Sequence, residues 1–149
     1  MKFEEEIKQS KFEDEWQKAL LNIQYTGNWL GDSLMKIAKK YDINDQHYNI
    51  LRILRGKHPN CMCPGDIKSV LLNKRGDLTR LLDKLTKMEL IERNINPENR
   101  RMVNVAITPR GLNLLEKMNP EVQDIENLRA NISREEANLL SEILDKLRG

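Results

Sequence analysis

Residues 73–111 read NKRGDLTRLLDKLTKMELIERNINPENRRMVNVAITPRG, and this stretch decides the fold class of the chain. On a helix of 3.6 residues per turn, its first part separates an apolar stripe from a polar side. The stripe consists of Leu78, Leu81, Leu82, Leu85 and Met88. The polar side consists of Gly76, Thr79, Arg80, Asp83 and Lys87, with Asp77 and Lys84 on its flank. A narrow polar face with small residues suits the DNA major groove, which admits one α-helix. The pattern therefore predicts a recognition helix.

The second part of the stretch changes to a period of two residues, which is typical of strands. Residues 91–95 and 101–108 are the two candidate strands, and Val103, Val105 and Ile107 share one side of the second. An Asn-Pro-Glu-Asn turn joins the two strands, and Arg100 and Arg101 follow it directly. The sequence thus predicts a basic hairpin, or wing, beside the recognition helix.

The charge distribution agrees with a nucleic-acid partner for this region. The whole chain of 149 residues carries a net charge of only +2, which does not demand a polyanion. Residues 73–111, however, hold nine Lys and Arg against five Asp and Glu, a net charge of +4, so the remaining residues sum to −2. A basic middle with acidic ends predicts that the middle faces phosphate.

The flanking sequence predicts helices on both sides of this stretch. Short helices over 45–55 and 64–72 precede the recognition helix, and Pro64 suits the first position of the second one. A long helix is expected over 12–41, although Gly27 and Gly31 interrupt it, and each costs up to about 1 kcal/mol. Thr108 and Pro109 begin another helix, which Pro120 either kinks or ends, and Ser133 caps a last helix over 134–147.

These elements predict a mainly α protein with a small β-hairpin wing, in a single domain of residues 1–149. The winged helix-turn-helix core spans 45–108, between candidate dimerisation helices over 12–41 and 109–147. The terminal helices have little within one chain to cover their apolar stripes, so we expect a homodimer. The lack of an apolar run of about 20 residues argues against a membrane span, and we expect a cytoplasmic protein without a cofactor.

With these motifs in place, the chain resembles the MarR family of bacterial winged-helix transcription regulators. TRLLDKLTKMELIER resembles the family's recognition helix, and NPENRRMVNVAITPRG resembles its wing and Leu-Thr-x-x-Gly exit. Three positions depart from the family pattern: Lys84 stands where Arg is usual, Glu89 where Gly is usual, and Asn99 where the wing has Asp. In the family that Asp pairs with the wing arginine, here Arg101, whereas Asn99 offers only a neutral hydrogen bond.

The resemblance implies a DNA-binding regulator, usually a repressor, that binds a pseudo-palindromic operator on double-stranded DNA as a homodimer. It also implies release by a small phenolic or other lipophilic effector bound between the dimerisation helices and the core. The predicted DNA-binding residues are Arg75, Gly76, Asp77, Thr79, Arg80, Lys84, Arg100 and Arg101. Tyr25, Trp29 and Tyr48 are candidates for the effector pocket, although aromatics at helical spacing also fit a plain core.

Three other functions are alternatives to this one. Cys61 and Cys63, with His58 nearby, are candidates for a metal- or redox-sensing variant of the regulator, but structural zinc normally takes a second pair of ligands. The sequence favours the simpler explanation that these cysteines occupy a short strand or cap before the third helix. A winged-helix module that binds an acidic protein is the second alternative. An enzyme is disfavoured, because the sequence holds no nucleophile–base pair, phosphate loop or metal-ligand set.

Overall fold

The computed structural model describes residues 2–149, and the side chains of all of these except Glu126, Leu128 and Arg129. The described part contains seven α-helices, one 3₁₀ turn and a two-stranded sheet. In chain order these are α1 (Phe3–Glu6), α2 (Glu15–Lys39), α3 (Asp45–Lys57), α4 (Pro64–Val70), α5 (Leu78–Lys87), β1 (Ile91–Ile95), β2 (Val103–Ile107), α6 (Pro109–Glu126), the turn Asn127–Ala130, and α7 (Arg134–Arg148). The mainly helical fold with a hairpin confirms the predicted fold class.

The hydrophobic core lies where α3, α5, α6 and the hairpin meet. Its largest fully buried side chains are Ile50, Leu51, Leu54, Ile67, Leu85, Leu115, Met118 and Val105. The three buried leucines of α5 belong to the predicted stripe, so the apolar side of this helix packs inward as expected. The core thereby fixes which side of α5 faces the solvent.

The two strands pair in an antiparallel register in which Ile91 lies opposite Ile107 and Ile95 opposite Val103. A third short segment joins this sheet, because Met62 exchanges two backbone hydrogen bonds of 2.9 and 2.8 Å with Val105. This bridge ties Met62, two residues before α4, to the middle of β2.

The first long helix differs from the sequence prediction in two ways. It begins at Glu15 and not at residue 12, because Asp14 caps it by accepting a hydrogen bond from the Gln17 N–H at 2.7 Å. It runs through both glycines without interruption. Of the two alternatives for Pro120, the structure excludes an end of the helix, because α6 continues through it to Glu126. No helix of the described residues is long and apolar enough to cross a membrane.

Candidate nucleic-acid interface

Helix α5 presents a polar, solvent-exposed face that is fixed by its N-terminal cap. Asp77 is the N-cap, and its carboxylate accepts the Arg80 backbone N–H at 3.3 Å. The Arg80 side chain stays 88% exposed and lies 3.7 Å from the same carboxylate. The other exposed side chains of this face are Thr79, Asp83, Lys84 and Lys87. The helix thus offers several cations to a surface that approaches from solvent.

At the start of α5, two of the predicted DNA-binding residues do not lie where the helical pattern of the sequence placed them. Gly76 precedes the helix and does not lie on its polar face, and Asp77 is its cap and not a flanking residue. A Cβ atom added to Gly76 would lie 2.5 Å from the amide oxygen of Gln46 in α3. The loop thus lies directly against the Gln46 side chain of α3. Arg75 is exposed, and its backbone N–H donates to Asn73 at 3.0 Å.

Helix α5 ends in a tight reversal that leads directly into the hairpin. The Leu90 N–H donates to the Leu85 carbonyl at 3.0 Å, and the Glu89 N–H donates to the Thr86 carbonyl at 2.9 Å. These two bonds form a Schellman motif, in which the intervening residue adopts the left-handed conformation that favours glycine. Glu89 has φ of 59°. A glycine, which is usual in the family at this position, adopts this left-handed conformation at little cost, whereas the side chain of Glu89 disfavours it.

The wing turn is organised by its asparagines. The Asn96 side-chain oxygen accepts the backbone N–H groups of Glu98 and Asn99 at 2.9 and 3.3 Å. Asn99 in turn accepts the backbone N–H of Arg101 at 3.2 Å, so its described bond goes to the main chain of that arginine. Arg100 and Arg101 are both exposed. The turn therefore projects two guanidinium groups from the end of the hairpin.

An ion pair that the sequence did not predict joins helix and wing. Arg93 of β1 donates from Nη1 to Oδ1 of Asp83 in α5 at 2.7 Å. Arg93 lies two residues after the buried Ile91, so it occupies the strand face that is turned toward α5. The alternation of the strand was the available signal for this contact. The cationic groups of α5 and the hairpin thus belong to one connected surface.

His47, near the start of α3, is the buried polar residue of the core and lies beside this surface. It is 5% exposed, and its Nδ1 accepts the Asn44 backbone N–H at 3.0 Å, so Nδ1 carries no proton. Burial lowers the pKa of His47 to about 4, and the positive charge of Lys84 contributes to the same direction. A neutral imidazole therefore lies under the recognition helix.

The two cysteines lie in the segment just before α4, where the sequence predicted a short strand or cap. Cys63 is the N-cap residue of α4, Cys61 is exposed, and Met62 between them forms the bridge to β2. Within the described part of the chain, no group of three or more His, Cys, Asp or Glu residues is placed to hold a metal ion. Cys63 thus lies at the predicted cap, and Cys61 lies directly beside the bridge residue.

The three aromatic residues proposed for an effector pocket do not come together in one chain. Tyr48 lines a cleft of about 310 Å³ between α2, α3 and the loop before α5, together with Gly27, Gly31 and Leu72. Tyr25 instead packs on Phe3 of α1 and donates from its hydroxyl to Glu6 at 3.0 Å. Trp29 is 46% exposed and is not among the residues that line this cleft.

Apolar side chains remain uncovered on the terminal helices. Helix α7 has no buried residue among those described, although its stripe is apolar. The exposed large apolar residues of the two helices are Trp16, Leu20, Ile23, Tyr25, Trp29, Leu30, Leu139, Leu140, Ile143 and Leu147. An apolar area of this extent marks an interaction surface.

The arrangement of α4, α5 and the adjacent hairpin defines the chain as a winged helix-turn-helix protein. Residues 43–103 match the MarR family model. The multiple antibiotic resistance protein MarR of Salmonella typhimurium is 33% identical over 108 residues, which are 71% of this chain and 74% of that protein. A MarR transcription factor structure from Planctomyces limnophilus is 30% identical, with a TM-score of 0.69 and coverage of 93% of this chain and 98% of that chain.

A further solved structure includes DNA. A cysteine-to-serine mutant of MarR from Escherichia coli, complexed with operator DNA, is 28% identical to this chain. Its TM-score is 0.77, and the alignment covers 93% of this chain and 99% of that chain. The protein described here belongs to the MarR family. It is a DNA-binding transcription regulator and not an enzyme.

Proposed function

We propose that the protein is a homodimeric repressor that binds a pseudo-palindromic operator and is released from it by a small lipophilic or phenolic effector. One observation carries the DNA-binding part of the proposal: the exposed basic face of α5 and the exposed wing arginines form one surface, joined by the Arg93–Asp83 ion pair. In this proposal α5 enters the major groove and the wing flanks the neighbouring minor groove.

The predicted contact residues have different roles in this complex. Thr79, Arg80 and Lys84 face the groove from the first turns of α5, where base edges are within reach. Arg75, Arg100 and Arg101 contact phosphate or the minor groove. Asp77 acts through the cap that it provides for α5. Gly76 acts by the close packing of its loop on α3.

The exposed apolar stripes of α2 and α7 support the homodimer. A second copy would cover both stripes, and a two-fold dimer presents two recognition helices to two half-sites. The Escherichia coli relative was solved with operator DNA, which agrees with an operator as the partner of this chain.

The cleft beside Tyr48 supports a site for the effector. It is lined by α2 on one side and by the loop that leads into α5 on the other, so a bound molecule would alter the placement of the recognition helix. Tyr25 and Trp29 enter the pocket only if the partner subunit brings them to it.

DNA binding is tested with a duplex selected by the purified protein from a random library. Fluorescence anisotropy should show that affinity falls by about 10³–10⁵ between 50 and 200 mM salt, as expected for 6–10 phosphate contacts. Arg80→Ala should weaken specific binding by about 1–3 kcal/mol without loss of folding, and Arg101→Ala should reduce the salt slope by about one unit. Failure to select any sequence, together with capture of an acidic protein, would favour the protein-interaction alternative.

A further inference from the structure

A groove of about 320 Å³ runs between the recognition helix and the wing, and the proposed function leaves it without a role. Its floor is apolar and includes Leu78, Leu82 and Val103. Its polar lining residues are Thr79 of α5 and Arg93 and Asn94 of β1. The groove therefore combines an apolar base with a donor on each side.

Arg93 is held at this groove with hydrogen-bonding capacity to spare. Its Nη1 donates to Asp83 at 2.7 Å, and its side chain is 31% exposed. A guanidinium group has five N–H donors in a fixed fork. Among the residues that the structure describes, Nε and Nη2 of Arg93 have no hydrogen-bond partner. The ion pair thus fixes the plane of the guanidinium while leaving donors available.

The position of the groove in the proposed complex decides what it would bind. If α5 lies in the major groove and the wing flanks the minor groove, the DNA strand between these two grooves crosses the space between α5 and the hairpin. That strand presents phosphates and sugars and no base edges. An arginine with free donors suits a phosphate oxygen of this backbone.

We propose that Arg93 is a DNA-contact residue that binds a backbone phosphate of the strand crossing this groove, and that Asp83 is its positioning residue. The proposal rests on the proposed function, because it needs DNA docked through α5 and the wing. Asp83 alone would repel phosphate. Its pairing with Arg93 neutralises that carboxylate and directs the free edge of the guanidinium toward the groove.

The alternative role is purely structural, with the ion pair joining α5 to the hairpin. An exposed ion pair adds little to folding stability. A structural role therefore predicts that Arg93→Ala and Asp83→Asn have similar effects and leave the salt dependence of binding unchanged. A phosphate contact predicts unequal effects and a changed salt dependence.

The experiment measures binding of the selected duplex by anisotropy between 50 and 300 mM salt. Arg93→Ala should lower affinity about tenfold and reduce the slope of log K against log salt by about 0.9, the value for one phosphate. Arg93→Lys should keep the wild-type slope. Asp83→Asn should lower affinity less than Arg93→Ala, with the slope unchanged. Arg110→Ala is the matched control, because it removes the same charge from an exposed arginine–carboxylate pair, with Glu89 at 3.1 Å.

A second measurement locates the phosphate. Each phosphate of the duplex is replaced in turn by a neutral methylphosphonate, and binding is compared for the wild type and Arg93→Ala. One position should weaken the wild type while leaving the variant unaffected.

An unchanged slope for Arg93→Ala, an equal loss for Arg110→Ala, or the absence of such a position would overturn the assignment. If the wild type itself selects no duplex, the proposed function fails, which is a separate result from failure of the Arg93 contact.

Discussion

Replacement of His47 by glutamine should remove a pH dependence of folding that the structure assigns to this single residue. Because burial first, and the charge of Lys84 second, lower the pKa of His47 to about 4, the folded chain holds the imidazole neutral. Asp45 acts in the opposite direction but does not prevail. In the unfolded chain the pKa of the imidazole is near its ordinary value of 6.5.

The sign of the effect follows from which state binds more protons. Between pH 6.5 and 4 the unfolded chain is the more protonated state, so the free energy of unfolding decreases as the pH falls through this window. Above pH 6.5 the imidazole is neutral in both states, and its full contribution to the free energy of unfolding is present. At about 1.36 kcal/mol per pH unit, about 3 kcal/mol per chain is lost by pH 4.

Urea unfolding followed by circular dichroism, at one protein concentration and at several pH values from 7.5 to 4, measures this difference. His47→Gln is the matched variant, because a glutamine keeps an acceptor for the Asn44 N–H but does not titrate. Other groups titrate in both proteins and cancel in the comparison. A difference between wild type and variant that stays constant with pH would refute the burial argument, as would an NMR titration midpoint near 6.5 for the imidazole resonance lost in the variant.

Three further predictions concern stability and assembly. Gly111→Ala should destabilise the fold by about 1–3 kcal/mol, because the new Cβ would overlap the Leu90 carbonyl and lie 2.7 Å from an Ile107 carbon. Gly27→Ala is the control and should not destabilise the fold, because no atom lies within 4 Å of its new Cβ. Thermal melts of the two variants measure this difference. Glu89→Gly should stabilise the chain by about 0.5–1 kcal/mol by relieving the left-handed backbone, and equal melts of the two proteins would contradict this reasoning. Ile143→Glu, in the apolar stripe of α7, should shift sedimentation toward the monomer, while Asn138→Glu, on an exposed position of the same helix, should leave a dimer. Dimers of equal stability for both variants would exclude α7 from the interface.

The sequence predicted the recognition helix and the wing because both depend on local periodicity. The leucines of α5 recur at helical spacing, and the valines and isoleucine of β2 alternate, so each pattern follows from the geometry of its own element. The resemblance to the MarR family, which these motifs carried, was confirmed. The caps Asn44, Thr108 and Ser133 each accept a backbone N–H of their helix, as side chains of these types usually do.

Features that depend on contacts between distant elements could not be predicted in this way. The pairing of Arg93 with Asp83 requires the angle between β1 and α5. The position of Gly76 depends on Gln46, which lies 30 residues earlier in the chain. The sequence left open whether α6 ends at Pro120, since proline removes one helical hydrogen bond. In the structure, Met118 and Val122 on either side of Pro120 are buried in the core, and this packing holds the helix in place. Tertiary packing settled each of these points.

The bridge between Met62 and Val105 has a mechanical consequence for the wing. It holds Val105 in the middle of β2, and the pairs Asn94–Asn104 and Ile95–Val103 lie between this point and the turn. The turn end of the hairpin therefore extends beyond the bridged pair. A shift of the segment that leads into α4 would move Val105 and, through the strand, the wing tip. The reach of Arg100 and Arg101 thus depends on the position of this segment.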